Sequence, residues 1–243
     1  MQEVRTIVIT GGAIGLGREL TRLFCEQGHR VVICGRTQNA LEEVKEAHSQ
    51  VISVHADLAS PEGRYRFLDA IHELNCPVDL LIHNAALQFS YDFQDACVPI
   101  ERIETELMVN LLAPIELTVE LLPLLKQARA GRVVAISSAL ARVPKKSAPI
   151  YCATKAGLSN FTRALRYQLE GTSVGVSEVV PDLIVTRMTS GRGDKALSPL
   201  EAAQRIVSGL EKLQSEIHLG RVPFLYALHR LMPDLAYRIL KAA

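Results

Sequence analysis

Residues 5–28 read RTIVITGGAIGLGRELTRLFCEQG. A β-branched run ends in glycines, and apolar residues then recur at helical spacing (Leu16, Leu20, Leu23, Phe24) until Gly28 stops the pattern. The stretch is therefore a strand, a tight loop and a helix. The loop, TGGAIGLG (10–17), carries glycines at 11, 15 and 17. Such a loop lets a diphosphate approach backbone N–H groups, while the helix N-terminus adds unpaired donors and the positive end of its dipole. Thr10, Gly11, Gly15, Leu16 and Gly17 are the first candidate cofactor-binding residues. Position gives the motif its weight, because a glycine-rich loop between the first strand and first helix is far more specific than one elsewhere. A tight turn with no ligand needs fewer glycines.

The same alternation continues along the chain. Short apolar runs at 29–36, 51–58, 78–86, 131–138, 172–181 and 215–220 read as strands. Between them lie helical patterns at 37–50, from Ser60-Pro61 onward, over about 100–127, from near Pro149, and at 198–214. This predicts an α/β fold, a doubly wound parallel sheet of about seven strands with helices on both faces. No internal repeat or linker interrupts 1–243, which reads as one domain with a helical tail at 221–243.

Composition narrows the function. Hydrophobic residues make up 48% of 243 and charged residues 22%, enough for a sizeable core, and the net charge is +1. No basic tract supports nucleic-acid binding. The N-terminus has no charged segment followed by an apolar one, and no apolar run is expected to reach membrane-spanning length. Five scattered cysteines without a CxxC pair suggest reduced thiols in the cytoplasm and no metal site.

The end of the second strand should select the ribose. It carries Arg36, whose planar fork suits a 2′-phosphate, so NADP(H) is expected over NAD(H). The competing reading is a solvated loop cation. Arg18 can add charge nearby or face solvent. Asp57 and Leu58 follow the third strand, where they meet an adenine or serve as a turn or cap. Asn84 and Ala85 follow the fourth strand, where the cofactor should cross the sheet edge. Tyr151 and Lys155, in PIYCATKAG (149–157), share a helix face, so the ammonium is expected to make the phenol more acidic.

Taken in order, TGGAIGLG, DL at 57–58, NAA at 84–86, Asn110, Ser138, YCATK at 151–155 and PDLIVT at 181–186 resemble the short-chain dehydrogenase/reductase family over residues 4–220. The resemblance implies a catalytic tetrad of Asn110, Ser138, Tyr151 and Lys155, acting on a small-molecule carbonyl or alcohol. It also implies a proton relay from Tyr151 through Lys155 to a water on the Asn110 carbonyl, cofactor contacts at Pro181 and Thr186, nicotinamide-ribose binding by Lys155, and a homo-oligomer. Ser137 is the alternative serine and should face away. Pro114, four residues after Asn110, removes the N–H that would pair with the Asn110 carbonyl and should kink the helix.

Two positions depart from the family pattern. The usual Asn-Asn-Ala-Gly is His83-Asn84-Ala85-Ala86, with His83 read as a satisfied buried histidine. The usual Pro-Gly is Pro181-Asp182, with Asp182 expected to face solvent. Substrate contacts are expected from 88–91, 140–146 and 183–194, which offer Phe89, Leu140, Val143, Leu183 and Met188 and lean towards an apolar substrate. Residues 189–198 read as a lid. The tail, which resembles that of bacterial relatives labelled DltE-like, should form two short helices broken at Pro233. Leu228, Leu231, Leu235 and Ile239 lie on its apolar faces, and Arg230, Arg238 and Lys241 face out. It serves as a lid, a subunit contact or a membrane-surface helix.

Overall fold

The computed structural model describes residues 4–95, 97–184 and 196–241. Seven strands pair in parallel in the order β3-β2-β1-β4-β5-β6-β7. They are β1 (Thr6–Thr10), β2 (Arg30–Gly35), β3 (Val51–His55), β4 (Leu80–His83), β5 (Arg132–Ile136), β6 (Gly175–Val180) and β7 (Glu216–His218). The direction of winding reverses between β1 and β4, which opens a crevice at their carboxyl ends.

Alternation along each strand feeds two cores. Ile7, Ile9, Val31 and Ile33 point to one face, where they meet Leu20 and Phe24 of α1 (Gly15–Glu26). Val8, Val32, Leu81 and Val133 point to the other face. The first face is completed by α2 (Gln38–Ala47) and by Ile206 and Leu210, which lie on a helix introduced below. The second is covered by Phe67 of α3 (Pro61–His72) and by a long helical run after β4. Ser60 caps α3 by accepting the Gly63 N–H at 3.0 Å, with Pro61 in the first turn. The buried Arg64 of α3 donates to Glu116 at 2.6 Å and to the Leu58 carbonyl at 3.0 Å, which ties the α3 entry to its neighbour.

The long run comprises α4 (Ile100–Leu107), a π-helical turn (Met108–Leu112) and α5 (Ala113–Gln127). The expected kink is thus a widened turn, with the Ala113 N–H reaching the Met108 carbonyl. Pro114, lacking an N–H, supplies the cause. The expectation that no apolar run reaches membrane length needs correction, because Ile100–Gln127 is long and apolar enough by length and composition. Leu117, Leu121 and Leu125 are nevertheless fully buried in the second core. A helix covering a parallel sheet demands much the same composition as one crossing a bilayer.

After β5 come a short 3-10 turn (Ala139–Ala141), α6 (Pro149–Gln168) and β6. Then α7 (Pro199–Glu211) starts from a capping box in which Ser198 and Glu201 satisfy each other's backbone N–H groups. This is the helix that brings Ile206 and Leu210 to the first core. The tail forms α8 (Val222–Leu231) and α9 (Pro233–Lys241), broken at Pro233 as expected.

Candidate active site

The glycine loop sits over the β1–β4 crevice. Gly11 and Gly15 have φ of +66° and +54°, the left-handed region that disfavours a side chain. A Cβ on Gly17 would lie 2.1 Å from the Gly11 carbonyl oxygen, so the first turn of α1 packs directly on the loop. Gly12, which the motif spacing did not single out, is equally confined: its Cβ would meet Ile33 Cγ2 at 2.4 Å. Ile14 provides no side-chain cap to α1, so that helix end keeps donors for an anion.

Two of the expected cofactor residues brace this loop. Thr10 Oγ1 accepts the N–H groups of Asn84 and Ala85, both at 3.0 Å. Asn84 Nδ2 donates back to the Thr10 carbonyl at 2.9 Å and the Gly11 carbonyl at 3.1 Å. The end of β4 thereby holds the glycine loop in shape. Leu16 is corrected: its side chain is buried in the core, leaving only its backbone to face a ligand. Leu58 is likewise a core side chain. Asp57 takes the turn role, its Oδ1 accepting the Ala59 N–H at 3.0 Å. Arg36 is exposed at the end of β2, with its carbonyl held by His55 Nε2 at 3.1 Å. Arg18 is paired with Glu43 at 3.2 Å on the surface. Pro181 follows β6 at the crevice edge, and Thr186 lies outside the described residues, as does most of the expected lid.

Ser138, Tyr151 and Lys155 come together beyond the end of β5. Ser138 Oγ accepts the Leu140 N–H at 3.1 Å, which leaves its proton to turn toward the Tyr151 phenol, whose pKa it lowers. Lys155 is buried, its Nζ donating to the Ile136 carbonyl at 2.8 Å and lying 5.6 Å from the centre of the Tyr151 ring. The expected acidification of the phenol is not what this arrangement produces. Burial pushes Tyr151 up to about 12, against the lowering effect of Ser138. Burial also brings Lys155 down to about 8. Burial is the largest cause of both shifts, and the ammonium spends its contact on a backbone carbonyl. At neutral pH the phenol therefore keeps its proton.

Asn110 is buried, and its side chain turns away from this trio. Its Oδ1 accepts the Leu87 N–H, and its Nδ2 donates to the Leu87 carbonyl, both at 2.8 Å. Nδ2 also reaches Thr154 Oγ1 at 3.2 Å, and Thr154 donates to the Tyr151 carbonyl at 2.8 Å. One turn earlier, the fully buried Glu106 accepts from the Tyr91 hydroxyl at 2.9 Å. Asn110 and Glu106 thus grip the segment after β4 at two points, Leu87 and Tyr91. Sequence reading missed Glu106. Its signal was a carboxylate four residues before Asn110, on a helix whose only buried residue it is. Burial raises the pKa of Glu106, and its charge in turn pushes Tyr151 upward.

Other expectations divide. His83 is buried and neutral, its pKa lowered to about 3 by burial. Its Nε2 meets Thr118 Oγ1 at 2.8 Å, while Nδ1 has no hydrogen-bond partner among the described residues, so it is only half satisfied. Asp182 does not face solvent freely: it accepts from Arg221 Nε at 2.8 Å, and that pairing outweighs burial to lower its pKa. Ser137 is buried on β5's far side, apart from the phenol's hydrogen bond. Of the expected substrate contacts, Val143 is fully buried, Phe89 and Leu140 are partly exposed, and Met188 lies outside the described residues.

A family profile described as short chain dehydrogenase matches residues 5–196. The oxidoreductase DltE of Bacillus subtilis is 32% identical over 223 residues, covering 89% of this chain and 88% of its own. A short chain dehydrogenase of Burkholderia cenocepacia, solved in complex with NADP, superposes with a TM-score of 0.86 at 25% identity and covers all of both chains. A short chain dehydrogenase/reductase of Burkholderia phymatum, solved with NAD, gives 0.84 at 19% identity, covering 96% of this chain and 95% of its own.

Proposed function

Because the chain belongs to the short-chain dehydrogenase/reductase family, we propose that it is an oxidoreductase transferring a hydride between NADP(H) and a small carbonyl or alcohol substrate. The observation that carries this reading is the cluster of buried Ser138 and Lys155 with half-buried Tyr151, beside a glycine loop that admits no side chain at Gly17. That loop and the uncapped start of α1 fit a dinucleotide diphosphate. The nicotinamide supplies the hydride when bound. Tyr151 holds the proton that a carbonyl oxygen requires and accepts one back in the reverse oxidation. Ser138 donates to the same oxygen as negative charge develops there. Lys155, anchored on the Ile136 carbonyl, places its ammonium beside the Tyr151 ring, where it can meet the nicotinamide ribose. Pro114 withdraws one N–H from the Asn110 carbonyl, leaving it to hold a water at the far end of the relay. Phe89 and Leu140 at the crevice favour an apolar substrate.

The choice of NADP(H) rests on Arg36, the exposed cation at the end of β2. Titration followed by nucleotide fluorescence should show NADPH binding at least about tenfold tighter than NADH. Arg36→Ala should remove about that factor, the size of one charge-assisted hydrogen bond. Equal binding of the two nucleotides would sink the assignment and leave Arg36 a loop cation.

Glu106 gives a separate test of the acid. Glu106→Gln preserves an acceptor for Tyr91 but removes the charge that raises the Tyr151 pKa. Alcohol oxidation needs the phenolate, so its rise with pH should move to lower pH in the variant. An unshifted profile would leave Glu106 as a strut only.

A further inference from the structure

The tail packs against the core by few residues. Val222 and Ala236 are buried, Val222 beside Ala139 and Val180. Tyr226 stacks edge-on against His218 at 5.3 Å and lies under the Arg142 guanidinium at 4.2 Å. The opposite face of α8 is apolar and open to solvent. Phe224 (71% exposed), Ala227 and Leu231 (79%) fall at i, i+3 and i+7. Met232 (54%), at the junction of the two helices, and Leu235 and Ile239 (53%) on α9 repeat the same spacing. Of the residues expected on the tail's apolar faces, Leu231, Leu235 and Ile239 are turned outward. Two adjoining helices with six outward apolar residues form a contiguous patch, not scattered exposure.

The charges beside the patch are mostly positive, with Asp234 the acid among them in the concavity beside α9. Residues 221–241 carry four cations (Arg221, Arg230, Arg238, Lys241) against one acid, Asp234, in a chain whose net charge is only +1. Lys146 joins them, its N–H donating to the Lys241 carbonyl at 3.3 Å. Lys146, Arg238 and Lys241 line a shallow concavity beside α9. A second copy related by a two-fold axis would set this basic patch against itself, and like charges would oppose the contact. A surface that is apolar within and negative at its rim matches both features.

We propose that the α8–α9 hairpin docks on an anionic phospholipid bilayer, with Phe224, Leu231, Met232 and Ile239 entering the interface and Arg230, Arg238 and Lys241 meeting the headgroups. The inward face of α8 packs through Val222 on Ala139, the residue after Ser138.

Cosedimentation of the full chain with phosphatidylcholine vesicles containing about one-third phosphatidylglycerol tests this. The protein should pellet with these vesicles and partition at least about tenfold less onto phosphatidylcholine alone. Leu231→Asp, and separately Arg238→Glu with Lys241→Glu, should each lose about tenfold or more in partitioning. Both should keep wild-type circular dichroism and NADPH affinity, which separates lost docking from lost folding. Failure of the wild type to pellet with the anionic vesicles would overturn the proposal. So would a dimer by light scattering that Leu231→Asp converts to monomer, since the face would then belong to a second copy.

Discussion

Tyr151→Phe is expected to lower turnover at least about a thousandfold while leaving NADPH affinity within about twofold. The phenol is the group whose proton balances hydride arrival at a carbonyl, and positioned acids contribute about 10²–10⁴ to rate. The variant removes one oxygen and keeps the ring, so packing around α6 is preserved. Ser138 retains its bond from the Leu140 N–H at 3.1 Å, and Lys155 its bond to the Ile136 carbonyl at 2.8 Å. The Ser138 hydroxyl loses the phenol as acceptor, while burial of the Tyr151 hydroxyl, which pushes it to about 12, is relieved and offsets that loss. Thermal stability should therefore hold or rise slightly. Single-turnover kinetics with saturating NADPH would check this. Activity within tenfold of wild type would show that another group supplies the proton, and the role assigned to Tyr151 would fail.

The second large effect concerns the loop. Gly17→Ala places a methyl 2.1 Å from the Gly11 oxygen and 2.6 Å from Asn84 Nδ2. Neither neighbour yields easily: Gly11 is fixed at φ +66°, and Asn84 is committed to the Thr10 and Gly11 carbonyls. The first turn of α1 must shift, and the donors facing the diphosphate shift with it. Loss of one or two charge-assisted bonds costs about 3 kcal/mol, so NADPH affinity should fall about a hundredfold. Overpacking costs about 1–3 kcal/mol, or a fall in Tm of about 3–10 °C for a chain of this size. Gly28→Ala is the control. Gly28 also has positive φ, +81°, but nothing lies within 4 Å of its Cβ. It should lose about 1 kcal/mol of stability and no nucleotide affinity. Equal affinity losses in the two variants would mean that general destabilisation, not loop geometry, governs binding.

Much of the site was legible because its signals are local. The glycines of 10–17 are required by backbone dihedrals and close approach within a dozen residues. The spacing of Tyr151 and Lys155 follows from one helix, and the break at Asn110 follows from Pro114 four residues on. Residues misjudged from sequence share the opposite property. Leu16 lies inside the motif, yet the phase of α1 turns its side chain to the core. Asp182 looked solvent-facing until Arg221, 39 positions away, proved to be its partner.

By itself, the sequence determined the parallel sheet, the order of its strands and helices, the glycine loop and the residues that meet at the crevice. Hydrophobic period, caps and glycines act over one or two turns, and several motifs in sequence compound their specificity. Only the tertiary structure decided that burial raises the Tyr151 pKa, that Asn110 and Glu106 clamp Leu87 and Tyr91, and that the tail turns an apolar face outward. Each of these depends on desolvation or on contact between segments far apart in the chain. Burial is a property of what packs around a group, and no spacing within a helix encodes it.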